Sequence, residues 1–230
     1  MPATLSRIAA LLFVCTSAVA QSRSDSDLPR FGGKVIEIIE PETDADGFFP
    51  KGPASVCLEG QQKQCYTAPE DFGRNPKVSV VQLKKDLPAL LFSAESGGVS
   101  GWTIHFALLR PGKGTNLQDL FISDVSVSNQ SQRAFWGDPT ISNAQFFMTA
   151  DYVWGPDESH YSPHRYIISA YIQKRSLELE GSYYYLEDRY MTARSYDQDA
   201  GVNILASERP EILARLRRLK VGSHSRRIPQ

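Results

Sequence analysis

Hydrophobic and polar residues alternate with a period of two along much of the chain, which is the pattern of β-strands. The cleanest run is residues 102–109, in which Trp102, Phe106 and two aliphatic residues take every second position. About ten such runs are separated by turn residues at intervals of roughly 8–15 positions. The alternation places His105 on the face opposite the aromatic stripe. A lone strand histidine is usually exposed or satisfied in a core, so we assign it no role.

Two runs in the second half, residues 145–154 and 164–173, are rich in aromatic and β-branched residues. The first carries apolar bulk on both faces, which predicts a strand inside a packed sheet. A third run, residues 182–196, is too long for one straight strand, and we expect a bend or bulge near Glu187 and Asp188. The strands together predict a mainly β fold, either an antiparallel sandwich or a partly rolled barrel.

One late segment, residues 207–221, has the helical period instead. Ser207 is a suitable N-cap, Pro210 suits the first turn, and Gly222 is a suitable end signal. Apolar residues on one face and basic residues opposite predict a single C-terminal amphipathic helix. We expect residues 222–230 to form a disordered tail.

The first 20 residues combine Arg7, an apolar run too short to span a bilayer, and small residues just before position 21. This arrangement predicts a secretory signal peptide cleaved before Gln21, and therefore a secreted or periplasmic protein. Residues 21–33 are polar and are expected to be a disordered linker. Residues 34–206 then form one β domain, in which no segment is apolar enough to cross a membrane.

The predicted cleavage removes Cys15 and leaves Cys57 and Cys65. In an exported chain, two cysteines this close indicate a disulfide. The residues between them suit a hairpin turn, so the bridge is expected to join two short antiparallel strands. A redox or metal role is disfavoured, because the spacing is not Cys-x-x-Cys and no histidine is nearby in sequence.

The formal net charge is −1 and gives no indication of nucleic acid or a membrane surface. The charge is uneven, however, since seven basic and only two acidic residues follow position 206. The basic tail could attract the acidic body, or it could meet anionic lipids or an acidic polymer. It lacks interleaved aromatic residues, so we expect no nucleic-acid partner.

The loop between the two central runs contains the chain's one cluster of possible metal ligands. These residues are Asp151, Glu158, His160 and His164. Two imidazoles and two carboxylates would suit zinc or another divalent ion, although Pro163 disfavours the helical geometry that would pair the histidines. Alternatives are a well-packed loop with no ligand and a polar pocket without metal. The candidate ligand-binding residues of such a pocket are Trp154, His160, Tyr161, His164, Arg165 and Tyr166.

Residues 149–196 contain the segments ADYVWG, ESHYSPHRY and DRYMTARSY. This half of the chain resembles exported β-rich bacterial proteins to which no activity is assigned. The resemblance therefore implies a location and a fold, and it transfers no catalytic residue.

Sequence motifs for catalysis are incomplete. The glycines near residues 97–101 and 112–114 do not fit a nucleophile elbow or a phosphate-binding loop. Nine tyrosines between residues 152 and 196 could stack on sugars or simply pack across strands. We therefore expect a non-catalytic exported binding domain, without a cofactor, for an envelope component, a glycan or a protein. The alternative is a metal-dependent hydrolase using Asp151, Glu158, His160 and His164.

Overall fold

The computed structural model describes residues 29–47, 49–97, 101–159, 162–197 and 201–225. The predicted signal peptide, most of the predicted linker and residues 226–230 lie outside these ranges. The described strands are β1 (Arg30–Phe31), β2 (Lys34–Ile39), β3 (Ser55–Leu58), β4 (Gln64–Thr67), β5 (Phe72–Lys84), β6 (Leu87–Ser96), β7 (Thr103–Pro111), β8 (Leu117–Asp119), β9 (Val125–Ser128), β10 (Gln132–Trp136), β11 (Phe146–Val153), β12 (Arg165–Ser176) and β13 (Gly181–Met191). The described helix is α1 (Ile204–Ser225).

The strands form three antiparallel sheets with mostly sequential neighbours. Their strand orders are β1-β2-β3-β4, then β5-β6-β7-β8 with β9 also on β7, and β10-β11-β12-β13. Strands dominate the structure, α1 is the one helix among the described residues, and the described strands close no barrel. The predicted mainly β class with one C-terminal helix is thus confirmed, in its sandwich form.

The five-stranded sheet is covered on both faces. Along β6 and β7, Phe92 and Leu109 pack against the first sheet, whereas Phe106 and Leu108 pack against the third. Alternate residues of a strand point to opposite faces, so one run of apolar residues can supply two cores. The alternation predicted for residues 102–109 is therefore confirmed.

The third sheet is also covered on both faces. Phe147 points into the core shared with the five-stranded sheet. Met148 and Ile168 point the other way and pack against Ile212 and Leu216 of α1. The molecule is thus a stack of four layers, three sheets and a helix, and β11 is the packed inner strand that its sequence predicted.

A β-bulge interrupts β13 where the sequence predicted one. Leu186 is opposite Tyr171 and Asp188 is opposite Ala170, so Glu187 is the extra residue. Because side chains alternate between faces, an inserted residue exchanges the faces of everything after it. Tyr184 before the bulge therefore faces the core between the sheets, while Asp188 after it faces the helix.

The disulfide between Cys57 and Cys65 is present and joins β3 to β4. The two residues are directly opposite each other, with Cα atoms 4.1 Å apart. The N–H of Cys65 donates to the carbonyl of Thr115 at 2.9 Å, away from β3. The cysteines therefore occupy a non-hydrogen-bonded pair, where cross-strand side chains come closest.

The described part of the predicted linker is ordered strand. Arg30 and Phe31 pair with Val35 and Lys34, and the Phe31 side chain is 7% exposed. Gly32 and Gly33 both have positive φ, as a two-residue hairpin turn of type I′ requires. The expectation of disorder up to residue 33 is therefore wrong for Arg30 and Phe31, because the two glycines close a hairpin.

The helix begins three residues before its predicted start. Asn203 is the N-cap, and its side-chain oxygen accepts the N–H of Ala206 at 3.0 Å. Ser207 and Pro210 consequently lie inside the helix, which continues past Gly222 to Ser225. Within the described residues, no helix has the length and apolarity required to span a membrane.

Basic residues of α1 bind acidic residues of the β domain. Arg215 makes a two-pronged contact with Asp188, at 2.6 and 3.0 Å, and Arg217 contacts Asp138 at 2.7 Å. Such contacts neutralise part of the basic face. These pairs show that the basic tail attracts the acidic body, which is one of the alternatives that the uneven charge suggested.

Candidate functional site

The loop between β11 and β12, which carries candidate metal ligands and which we call the histidine loop, is organised around His164. Its side chain is fully buried, and its ring lies 4.9 Å from the Tyr152 ring and 5.1 Å from the Trp154 ring. Nδ1 of His164 is 2.9 Å from a carboxylate oxygen of Glu158. The same oxygen accepts the N–H of Gly155 at 2.7 Å. Through Glu158, His164 at the end of the loop is therefore connected to Gly155 at its beginning.

The Glu158 carboxylate is therefore contacted by both the Gly155 N–H and the His164 ring. The N–H of Gly155, and after it the His164 ring, hold the pKa of Glu158 below its ordinary value. The other ring nitrogen of His164, Nε2, is buried and has no hydrogen-bond partner within the described residues.

Of the remaining candidate ligands, Asp151 is placed less favourably for a common site. Asp151 lies on the other face of β11 from Tyr152, and it accepts the N–H of Ser128 at 3.2 Å. His160 and Tyr161 lie outside the described residues. No group of three possible metal-ligating side chains occurs in the described ranges. The structure thus brings together Glu158 and His164 and separates Asp151 from them.

Of the candidate pocket residues, Tyr166 is 2% exposed and packs in the core beneath α1. Trp154 is 46% exposed, and Arg165 is exposed at the start of β12. Most of the nearby tyrosines are likewise buried, including Tyr171, Tyr184 and Tyr196. These buried rings pack across strands, so they do not form an open stacking platform.

His105, to which we assigned no role from the sequence, joins two sheets from a buried position. Its Nε2 is 2.8 Å from the Tyr66 hydroxyl on β4. Its Nδ1 lies 2.8 Å from a carboxylate oxygen of Asp124, which is ion-pair distance. Burial lowers the pKa of His105, although Asp124 acts in the opposite direction. The ring thus links β7 to β4 inside the protein.

A groove of about 790 Å³ lies at one end of the sandwich, which we call the hairpin-end groove. Three hairpin turns meet there: Lys84–Leu87 between β5 and β6, residues 111–117 between β7 and β8, and residues 176–181 between β12 and β13. Ligand sites commonly form where loops from several strands converge on a rigid scaffold.

The walls of this groove are held by side-chain hydrogen bonds. The Gln64 amide donates to the carbonyls of Gly112 and Gly114, at 3.1 and 2.9 Å. The Gln118 amide donates to the Tyr183 hydroxyl, which donates to the carbonyl of Leu179 at 3.2 Å. The loops are therefore fixed before any ligand arrives, which lowers the entropy cost of binding.

Positive charge in the groove is only partly compensated. Nε of Arg110 is buried, and within the described residues it has no hydrogen-bond partner. Lys84 lines the same groove and makes no ion pair with another described residue. Lys113 lies 4.0 Å from Glu180, but both side chains are almost fully exposed, so that pair is weak.

A guanidinium whose Nε is buried without a partner suits an anionic ligand. Burying a charged group without a partner costs free energy, and an incoming carboxylate or phosphate would supply the missing acceptor. Gln118 and Gln173 offer amides nearby, and Leu87 and Leu179 add apolar surface. The arrangement can hold a ligand that combines negative charge, hydroxyl groups and a compact apolar face.

We assigned these three segments no functional role from the sequence. Each hairpin nevertheless has basic residues beside its turn: Lys84 and Lys85, Arg110 and Lys113, and Lys174 and Arg175. Recurrent basic residues at turns were the available signal. The pairing of strands that brings the turns to one end was not available from the sequence.

Searches with this chain match no family model, no curated protein and no solved structure. The resemblance of residues 149–196 to exported β-rich bacterial proteins therefore stays a prediction.

Proposed function

We propose that this chain is an exported, non-catalytic binding protein that holds an acidic glycan in the hairpin-end groove. The observation that supports this most directly is the buried Arg110 Nε without a partner, in a groove whose loops are already fixed. A protein that keeps such a group unpaired gains most from a ligand that pairs it.

The ligand class follows from the chemistry of the lining. A guanidinium binds a carboxylate through two parallel hydrogen bonds, which a lysine ammonium does not reproduce. Amides such as those of Gln118 and Gln173 suit sugar hydroxyls, and Leu179 suits the apolar face of a pyranose ring. A uronic acid combines these groups, whereas a neutral sugar lacks the negative charge.

Export is supported by two observations. Residues 1–20 have the features of a signal peptide, and Cys57 and Cys65 form a disulfide, which persists in oxidising compartments. We therefore propose a secreted or periplasmic location. A metal-dependent hydrolase stays a prediction, because His160, one of its four candidate ligands, lies outside the described residues.

The test is calorimetric titration of the purified protein with tetragalacturonate and with its methyl ester, which has the same sugar units and no charge. We expect binding of the acid and not of the ester. Arg110→Ala should weaken binding by about ten- to a hundredfold, because a charge-assisted hydrogen bond contributes about 1.5–3 kcal/mol. Arg110→Lys should recover only part of this.

Arg165→Ala is the matched control. It removes an exposed arginine at the far end of β12, beside the predicted histidine loop, and should leave the affinity unchanged. Equal binding of acid and ester, or loss of binding in Arg165→Ala instead of Arg110→Ala, would contradict the proposal.

A further inference from the structure

A second groove, of about 770 Å³, follows β10 along the edge of the third sheet. On one side it is lined by Gln132, Arg133 and Trp136 of the strand, and on the other by Asn203 and Arg209 at the beginning of α1. We call it the edge groove. It shares no lining residue with the hairpin-end groove.

The backbone of β10 is open along this groove. β10 is the outer strand of its sheet and pairs with β11 only. Within the described residues, no backbone or side-chain group bonds to its outer edge. Antiparallel pairing leaves alternate N–H and C=O groups of such a strand pointing outward.

Other long edges are partly covered by the chain itself. On β13, the N–H of Tyr184 donates to Leu120 at 2.7 Å, and its carbonyl accepts from Ile122 at 3.1 Å. On β5, the carbonyl of Leu83 accepts the N–H of Gln145 at 2.6 Å. The open edge of β10 therefore differs from these two edges.

Two arginines flank the open edge, one on each face of the strand. The Arg133 guanidinium lies 5.0 Å from the centre of the Phe106 ring, and that of Arg209 lies 5.1 Å from the centre of the Trp136 ring. Arg133 and Trp136 are three residues apart, so their side chains point to opposite faces.

Neither guanidinium forms an ion pair with a carboxylate of the described chain. Stacking on an aromatic ring orients a guanidinium and leaves its in-plane donors available. By contrast, Arg215 and Arg217 further along α1 bind acidic residues. Arg209, which has no carboxylate partner within the described residues, thus lies beside the edge strand.

One wall of the groove is held by hydrogen bonds of Gln132. The Gln132 amide donates to the carbonyl of Val202 at 2.8 Å, and its oxygen accepts the N–H of Ile204 at 2.7 Å. These bonds fix the start of α1 relative to β10. A segment that enters the groove therefore meets a preformed surface.

We propose that an extended acidic segment of a partner protein adds to β10 as a further antiparallel strand. Main-chain hydrogen bonds to the open edge supply affinity, and carboxylates paired with Arg133 and Arg209 supply selectivity. Because the arginines lie on opposite faces, the partner's acidic residues lie an odd number of positions apart in its sequence. This site is independent of the hairpin-end groove.

The test uses NMR of the ¹⁵N-labelled protein with three blocked hexapeptides at millimolar concentration. One has the sequence Thr-Val-Glu-Glu-Val-Thr, a second has Gln in place of both Glu, and a third is the first with alternate backbone nitrogens methylated. The first should shift the amides of Gln132–Trp136 and slow their exchange with solvent. The second should bind at least tenfold more weakly, and the methylated peptide should not bind.

Protein variants provide a second measurement. Arg133→Glu and Arg209→Glu should each weaken binding of the acidic peptide at least tenfold. Arg218→Glu should change it less than twofold, because Arg218 is an exposed residue of the same helix that pairs with Glu211. The spectrum of each variant shows whether it is folded.

Several outcomes would overturn the proposal. Equal binding of the methylated peptide would indicate charge attraction without strand pairing. Shifts on β5 or β13 instead of β10 would place the contact elsewhere, and absence of shifts with the acidic peptide would remove the site. Tetragalacturonate binding at β10 in place of the peptide would assign the groove to a glycan.

Discussion

At the residue scale, two histidines that look alike in the sequence have similar structural roles. His105 connects Tyr66 to Asp124 between two sheets, and His164 connects Glu158 to an aromatic cluster inside one loop. Both side chains are buried, with His105 3% exposed and His164 0% exposed. Nε2 of His164 and Nε of Arg110 are both buried without a hydrogen-bond partner within the described residues, but of the two only Arg110 lines the hairpin-end groove.

Asp119 leads to a prediction about pH. Burial raises the pKa of its carboxyl to about 6 from an ordinary value of 3.8, although the N–H groups of Phe121 and Leu108 donate to it and act the other way. The folded protein thus binds this proton more tightly than the unfolded chain. The group's contribution to stability is therefore lost as the pH rises from about 4 to about 6.

Asp119→Asn mimics the protonated form and removes this dependence. Relative to the wild type, the variant should gain about 2–3 kcal/mol in free energy of unfolding between pH 4 and pH 7, since one pKa unit corresponds to about 1.4 kcal/mol. Urea denaturation across this range measures the difference. The exposed Asp71→Asn serves as control, and a constant gap between wild type and Asp119→Asn would refute the assignment.

At the element scale, single residues decide where elements begin and which way they face. The extra residue Glu187 turns the second half of β13 toward the helix, which allows Asp188 to meet Arg215. Asn203 sets the beginning of α1 through its bond to Ala206. Ser207 has the residue type of a cap but sits one turn too late.

The two candidate caps can be separated by mutation. Asn203→Ala should lower the free energy of unfolding by about 1 kcal/mol, because the N–H of Ala206 loses its acceptor. Ser207→Ala should change it by less than about 0.5 kcal/mol, since a serine-to-alanine change inside a helix removes no cap. Thermal denaturation followed by circular dichroism measures both. A larger effect at Ser207 than at Asn203 would return the helix start to its predicted position.

At the scale of the whole molecule, four layers share three cores, so two of the three sheets are buried on both faces. The first sheet is the small outer layer, and the disulfide joins its last two strands. The carbonyl of Thr115 and the side chain of Gln64 connect this layer to the loop that lines the hairpin-end groove.

The disulfide should therefore matter for stability and for the groove. The double variant Cys57→Ser, Cys65→Ser should lose about 2–3 kcal/mol of unfolding free energy, as the chain-entropy model gives for a loop this short. Guanidinium denaturation measures this loss. The variant should also show faster amide exchange at Gly112 and Gly114, whose carbonyl groups Gln64 holds. Unchanged stability would show that sheet packing alone fixes this layer.

The sequence by itself determined the local properties of this protein. Alternation at residues 102–109 and 145–154 gave strands, the spacing of Cys57 and Cys65 gave a bridged hairpin, and the length of residues 182–196 gave a bulge. Each of these depends on neighbours within about a dozen positions, where side-chain period and turn chemistry act directly.

The tertiary structure decided which surfaces meet. Asp151 belongs to the same loop region as His164 in sequence, yet strand alternation sends it to the opposite face. Arg110 and Lys84 are far apart in sequence and line one groove, because strand pairing brings their hairpins to the same end. Such contacts depend on sheet order and register, which are set by the packing of distant segments and have no local pattern.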